Sequence, residues 1–355
     1  MARIGFDGLA ISPLGKGHAR TELHAVQALA ERGEHELVVF VREPVKLTGV
    51  EVVSVRERLT IDWELRGLPR ASDQNGLDAF ISLSERLPLA GGPAIVVWLF
   101  ESPVHRIRQN RATGASPWLR GSDLLTALLW RRSLRRAVHV CFGSHATRDE
   151  VLANVPELES RSSVVYPALG PGFGPGSSTD RGRYAFHLGS RDPRDNTAAA
   201  VEACRRAGIR LLVAGGWQGT GAESLGRVSD EELIDLYRGA AVFLDPSLYE
   251  GFGYGILEGM ACGVPVIASD VTSIPEVAGD AALLCDPEDA DAFAVAIRRV
   301  LGDPELAESL RLRGFERAAS FTWARTAEGL SAALTRATST ASVRSSEPST
   351  DTSTR

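Results

Sequence analysis

Two glutamates eight residues apart, Glu250 and Glu258, bracket the alternating glycines Gly251, Gly253 and Gly255 in the segment DPSLYEGFGYGILEGMACGVPVIASD, residues 245–270. The apolar run Ala241–Leu244 leads into this segment, and Gly263 followed by Val264 leads out. The pattern is therefore strand, loop, short helix and second strand. Glycines at a strand-to-helix junction let backbone N–H groups come close to a ligand. The helix N-terminus adds about half a positive charge. Such a junction suits phosphate or clustered hydroxyls. Glu250 on the loop lip and Glu258 on the helix face can both accept hydrogen bonds from a polyhydroxyl ligand. The plain alternative is a tight turn with one solvated and one structural carboxylate.

These residues must be held by the elements around them, and those alternate. Strand-like runs fall at Arg3–Phe6, Glu36–Val41, Ile95–Phe100, Val138–Phe142 and Val164–Tyr166, then at Tyr184–Leu188, Arg210–Ala214, Ala241–Leu244, Val264–Ala268 and Ala282–Leu284. Helical stretches between them include Ala19–Arg32, Thr197–Ala207, Glu231–Gly239 and Ala290–Leu301. Alternation with nearly continuous apolar strands predicts α/β halves built on parallel sheets covered on both faces. The Gly-, Pro- and Ser-rich stretch 168–183 reads as a linker between residues 1–167 and 184–320. Two such halves with one hinge imply a cleft between them. The stretch 335–355 has too few apolar residues to offset ordering entropy, and reads as a disordered tail.

The chain has 355 residues, 44% hydrophobic and 24% charged, which excludes a wholly disordered chain, a collagen-like repeat or a small disulfide scaffold. The longest clear apolar run, Ala94–Phe100, is far short of the roughly 18 residues of a membrane span. The opening MARIGFDG enters a strand directly, with no leader pattern. Four scattered cysteines, Cys141, Cys204, Cys262 and Cys285, read as reduced thiols of a cytoplasmic protein. A net charge of −6 has the wrong sign for a general nucleic-acid binder. Residues 102–136 carry eight arginines against Asp123 alone. There, Leu124, Leu125, Leu128, Leu129 and Trp130 precede Arg131, Arg132, Arg135 and Arg136. Segment 116–140 fits either a peripheral helix on the anionic inner face of a membrane, or capture of a polyprenyl diphosphate-linked acceptor, or the buried face of an ordinary internal helix. The first loop, SPLGKGHART, offers Gly15, Lys16, Gly17, His18 and Arg20 as contacts to a bound phosphate or another ligand, or forms a simple exposed turn. Asp289 and Asp291 read as the start of a surface helix rather than a metal pair, and His139 and His145 do not pair at a metal-ligand spacing.

EGFGYGILEGMACGVPVIAS resembles the signature of the retaining glycosyltransferases of group 1, or family 4: a Glu, seven residues, a second Glu, small residues and then G-x-P-V-I. The resemblance extends through HLGSRDPRDN (187–196), GRVSDEELIDLYRGAAVFLDPS (226–247), SIPEVAGDAALLCDPED (273–289) and FTWARTAEGL (321–330). The N-terminal half is similar more loosely, through Gly15, Gly17 and SHATRDEVL (144–152). This resemblance implies the GT-B fold, two facing Rossmann-like domains with the active site in the cleft. It makes residues 1–167 the acceptor domain and 184–320 the nucleotide-sugar domain, with 321–334 a terminal helix crossing back to the first. By position, it implies that Glu258 holds the ribose hydroxyls of the donor nucleotide and Glu250 meets the transferred sugar. The N–H groups of Phe252, Gly253, Tyr254 and Gly255 would bind sugar hydroxyls and diphosphate, and the Val228 backbone would meet the base. Neither a metal nor another cofactor is implied.

Departure of a nucleoside diphosphate calls for cations, and Arg191 and Arg194 in GSRDPRDN fit that need. Asp195 stands where the family usually has a lysine, and Phe100 where it often has a histidine. Glu101 then becomes a candidate for contact with donor or acceptor, and His105 either a stand-in for that histidine or a surface residue. The expected function is a retaining transfer from a nucleotide sugar to a glycan, lipid-linked or small-molecule hydroxyl. The alternative is a nucleotide-sugar-binding protein of the same fold with little or no transfer activity.

Overall fold

Strands of a parallel sheet are covered by helices on both faces, which is why the apolar runs are almost unbroken. The computed structural model describes residues 1–11, 18–57, 59–84, 86–87, 92–105, 117–176 and 182–346. The chain divides into two units: Met1–Gly143, Arg148–Ala168 and Trp323–Arg355 form one, and Ser144–Thr147 with Leu169–Thr322 the other.

The first unit runs β1 (Ala2–Asp7), α1 (His18–Arg32), β2 (His35–Val41), β3 (Glu51–Ser54), α2 (Leu68–Asn75), β4 (Ala79–Ser82), β5 (Ala94–Leu99), α3 (Pro117–Arg136), β6 (His139–Phe142), α4 (His145–Leu152), whose residues up to Thr147 fall in the second unit, and β7 (Ser162–Val164). Its seven strands lie in the order β3-β2-β1-β4-β5-β6-β7. Pairing is parallel, β1 meeting β2 from Ala2 opposite His35 and β4 from Ile4 opposite Ala79. Phe6, Val39, Ile81 and Trp98 face one apolar layer, and Phe40, Phe80, Phe142 and Trp130 the other.

The second unit runs β8 (Tyr184–Leu188), α5 (Thr197–Ala207), β9 (Arg210–Ala214), β10 (Glu223–Gly226), α6 (Asp230–Gly239), β11 (Val242–Asp245), α7 (Tyr254–Ala261), β12 (Val266–Ser269), α8 (Ile274–Ala278), β13 (Ala282–Cys285), α9 (Ala290–Gly302) and α10 (Pro304–Ala319). Its parallel order is β10-β9-β8-β11-β12-β13. The chain winds outward from β8 through β9 and β10, then returns to the other side of β8 as β11. Strand order thus reverses between β8 and β11. In sheets of this kind ligands bind outside the carboxyl ends of the strands at such a reversal.

The last helix, α11 (Trp323–Ser346), belongs to the first unit and buries Leu330, Leu334 and Ala337 in its core. The helix thus runs through residues 335–346 of the stretch expected to be a disordered tail, and residues 347–355 lie outside the described residues. The hydroxyls of Thr335 and Ser339 donate back to the carbonyls of Ser331 and Thr335 (3.0 and 2.8 Å), so polar residues continue a helix already anchored by packing. Three short strands, β3, β4 and β10, were not legible as strands, and β7 lies two residues before the expected Val164–Tyr166.

Candidate functional site

Gly253 opens α7 in the left-handed region, at φ 99°. A side chain there would be strained, so the sharp turn from loop into helix needs glycine. The backbone of Glu250 is fastened on both sides. Its N–H donates to the Thr272 hydroxyl (3.0 Å), and its carbonyl accepts from the Ser273 hydroxyl (2.8 Å). Thr272 itself holds φ 54°, an uncommon conformation for a β-branched residue. The Phe252 side chain is buried, edge-on to Tyr254 and Phe321 at 5.1 and 5.6 Å, so it anchors the loop and leaves only its backbone for a ligand.

Glu258 lies one turn along α7, half-buried, and its Oε2 accepts from the Tyr237 hydroxyl of α6 at 3.0 Å. Below the loop, Asp245 at the end of β11 accepts from the Ser247 hydroxyl (2.5 Å) and N–H (3.3 Å). Burial, then the neighbouring Asp245 and Asp195 carboxylates, push Glu250 up to about 8, while Ser247 and Arg194 oppose the shift. Burial likewise raises Asp245. Together the groups hold protons that isolated carboxylic acids would lose.

The second loop, after β8, brings the arginines. Arg194 is drawn back onto Asp192, with Nε and Nη2 at 3.0 and 2.9 Å from Oδ2, and its guanidinium stands 6.0 Å from the Tyr249 ring. Arg191 is exposed and donates to Gln218 at 2.7 Å. Asp195 accepts from the Ser190 N–H at 2.5 Å and closes the loop. Asn196, left-handed at φ 49°, donates to the carbonyls of Pro246 and Pro287 (3.0 and 2.9 Å). That side chain joins the loop after β8 to the loop after β11. Underneath, His187 sits between the Leu244 carbonyl (2.9 Å from Nδ1) and the Thr197 hydroxyl (3.0 Å from Nε2). The carbonyl requires a proton on Nδ1, and burial lowers the pKa, so this histidine is a neutral strut.

The second unit therefore brings Arg191, Arg194, Glu250, Phe252, Gly253, Tyr254, Gly255 and Glu258 to the carboxyl ends of β8 and β11. Val228 lies beyond the end of β10, before the Ser229–Glu232 capping box of α6. In the same unit the His145 and Ala146 N–H groups donate to Glu276 (2.8 and 3.0 Å), which caps the SHAT stretch. Sequence patterns did not single out Asp192, His187, Tyr237, Asp245, Ser247 or Thr272. Their partners lie on other elements or carry no spacing signature; only Asp192, two residues before Arg194, had a local cue.

Glu101 and His105 are half-buried residues of the first unit, following β5. Phe100 is buried, its ring 4.6 Å from Trp98, so it is a core side chain. Gly15, Lys16 and Gly17 lie outside the described residues, and His18 begins α1. In α3, Trp130 and Leu134 are buried while Leu128 is exposed, and Arg131 and Arg135 engage Asn154 and Glu157. The described side chains of α3 divide between core and surface; those of Leu124 and Leu125 lie outside the described residues. Among the described residues no helix is long and apolar enough to cross a membrane. Asp289 caps α9 through the N–H groups of Asp291 and Ala292 (both 2.9 Å), and Asp291 pairs with Arg206 (2.6 Å). His139 meets the Ser163 hydroxyl at 2.9 Å.

The first sheet also reverses, between β1 and β4. Buried carboxylates gather there. Burial, with Glu64 nearby, raises Asp7 to about 7, and burial with Asp7 nearby raises Glu22 to about 9. Glu64 is charge-paired with Arg86 at 2.7 Å.

Residues 180–317 match the family model described as glycosyl transferases group 1. The O-antigen chain mannosyltransferase B of Escherichia coli is 40% identical over 161 residues, covering 39% of this chain and 42% of that protein. The chain thus spans less than half the length of this curated relative. Among solved structures, sucrose-phosphate synthase from Thermosynechococcus elongatus matches with TM-score 0.76 over 96% of this chain and 100% of that one, at 18% identity. Anabaena HepE in complex with UDP and glucose matches with TM-score 0.70 over 94% and 100%, at 15% identity. The two parallel-sheet units are the Rossmann-like domains of the GT-B glycosyltransferase fold. Residues 180–317, which hold the glycine loop, both glutamates and both arginines, belong to the glycosyl transferases group 1.

Proposed function

We propose that the chain is a retaining, metal-independent glycosyltransferase that moves a sugar from a nucleoside diphosphate sugar to a hydroxyl of a glycan, lipid-linked or small-molecule acceptor. The observation that carries this reading is the convergence of the loops after β8 and β11 at the reversal of the second sheet. One supplies guanidinium groups and the other a glycine-opened helix with Glu250 and Glu258. HepE was solved with UDP and glucose, and the mannosyltransferase named above works on an O-antigen chain; both accord with a sugar donor and a glycan acceptor.

In this reading the Glu258 carboxylate accepts the ribose hydroxyls. The N–H groups at the start of α7 receive the diphosphate and sugar. Glu250 holds a proton near neutral pH, so it meets the sugar without adding negative charge beside the diphosphate. As the glycosidic bond lengthens, charge grows on the leaving diphosphate, and Arg191 with Arg194 stabilises it. That diphosphate can itself take the acceptor proton, which makes a histidine at position 100 dispensable. The second reading, a nucleotide-sugar-binding protein with little transfer, is favoured by Phe100 in the core and by Arg194 held on Asp192.

Donor hydrolysis separates the two. UDP-glucose, GDP-mannose and ADP-glucose are each incubated with the protein, and the released sugar is followed by proton NMR. The transferase reading expects one donor to be cleaved with its anomeric configuration kept in the first product. Arg191→Ala should lower that rate about 10²–10³-fold with a much smaller change in nucleoside diphosphate affinity. Binding without cleavage, even with added acceptor sugars, would establish the second reading, and an inverted anomer would refute retention.

A further inference from the structure

Tyr237 is a buried polar side chain that no part of the proposed reaction uses directly. It stands on α6, 21 residues before Glu258, and reaches α7 from below. Its ring is closed in by Phe186 and Phe243, edge-on with centroids 5.1 Å away in each case, and by Phe173 at 6.4 Å. Aromatic packing of this kind leaves the ring no room to move, so the hydroxyl has one position. From there it donates to Glu258 Oε2 at 3.0 Å. The same hydroxyl lies directly beneath the first turn of α7: a Cβ placed on Gly255 would stand 3.5 Å from it, and 3.2 Å from the Phe243 ring.

We propose that Tyr237 is a positioning residue for nucleotide recognition: its hydroxyl holds the Glu258 carboxylate in the orientation that accepts both ribose hydroxyls, and so sets the preference for ribonucleoside over deoxyribonucleoside diphosphates. This rests on the reading of Glu258 as the ribose acceptor. A carboxylate on a half-exposed helix face rotates about its last bonds, and ordering it costs affinity each time a ligand binds. A donor fixed in an aromatic box orders it in advance. Burial, with Glu258 nearby, pushes the Tyr237 hydroxyl well above its ordinary range, so it remains a neutral donor across the working range of pH. Two ribose hydroxyls need the carboxylate plane set correctly; a 2′-deoxyribose, with one, needs it less. The tyrosine therefore acts on the difference between the two sugars more than on the total affinity.

The test is calorimetric titration of the full chain with UDP, GDP and ADP, each against its 2′-deoxy form, for the wild type and for Tyr237→Phe, Glu258→Gln and the double variant. Taking the base that binds, the ratio of deoxy to ribo dissociation constants should fall about three- to tenfold in Tyr237→Phe, from loss of one oriented hydrogen bond. In the double variant, loss of the hydroxyl should change the ratio no further than Glu258→Gln alone. A ratio that falls in Glu258→Gln and stays at the wild-type value in Tyr237→Phe overturns this proposal and leaves the ribose reading intact. A ratio unmoved by Glu258→Gln overturns the ribose reading and this proposal with it. Should Tyr237→Phe lower the melting midpoint, comparison across the Glu258 backgrounds decides. A packing role lowers the midpoint in both and leaves the ratio alone, whereas a positioning role moves the ratio only where the carboxylate is present.

Discussion

In the proposed reading Glu258 and Glu250 would meet opposite demands at one sugar nucleotide, Glu258 as an acceptor of hydroxyls and Glu250 as a carboxyl that keeps its proton. Glu258→Ala should raise the dissociation constant for the matching nucleoside diphosphate about tenfold or more, the scale of a lost hydrogen bond to a charged group. Unchanged affinity in calorimetry would place the nucleotide elsewhere. Glu250 makes a pH prediction. Its pKa is about 8 in the fold against 4.5 for the free side chain, so the folded state binds its proton more tightly than the unfolded chain. That contribution is complete below about 4.5 and is lost as pH rises through about 8. The ligand-free melting midpoint should fall between pH 6 and 9, and Glu250→Gln should flatten that fall. Asp7 and Glu22 act in the same direction, so the variant keeps part of the slope. Identical slopes for the two proteins would remove Glu250 from the set of protonated groups. Both glutamates stand out in the sequence because they sit eight residues apart on one loop and helix. Tyr237 does not, since a lone tyrosine on the buried face of an amphipathic helix looks like any core residue.

At the scale of elements, the two loops act as one because Asn196 ties them. Its side-chain amide reaches Pro246 and Pro287, so Asn196→Ala leaves two carbonyls without that donor and should cost about 1–3 kcal/mol. Donor turnover should drop along with stability, because Arg191 and Arg194 ride on the freed loop. Chemical denaturation and donor hydrolysis measure the two effects, and a loss of neither would mean the loops hold their places independently. The helix α11 makes a second prediction. A chain ended after Leu334 loses the buried Ala337 and the last turns behind it, and should melt several degrees lower than a chain ended after Ser346. Equal midpoints would restore the reading of that stretch as an unstructured tail. That stretch misleads because Thr, Ser and Ala in runs resemble a linker by composition, while the burial that extends the helix comes from a sheet some two hundred residues earlier. Short strands hide for a related reason. The ESLG of β10 is an exposed edge strand with one apolar residue, and only its pairing with β9 makes it visible.

Across the whole molecule, alternation of strands and helices was enough to foresee two parallel sheets. It could not show that the second sheet reverses between β8 and β11, because strand order is a property of pairing and not of any one segment. Yet that reversal is what brings HLGSRDPRDN and DPSLYEGFGYGILEG, some fifty residues apart, to the same edge. In the loop after β8 the Asp195 carboxylate serves the Ser190 N–H. The central claim, that this edge receives a nucleoside diphosphate, is tested most directly by thermal unfolding with UDP, GDP, ADP and dTDP at saturation, for the wild type and for Glu258→Ala. A ligand at a hundred times its dissociation constant stabilises by about 2.7 kcal/mol, enough to move a midpoint by several degrees. One nucleotide should raise the wild-type midpoint by that amount and the variant's by much less. No shift with any of the four at millimolar concentration, or an equal shift in both proteins, would contradict the account.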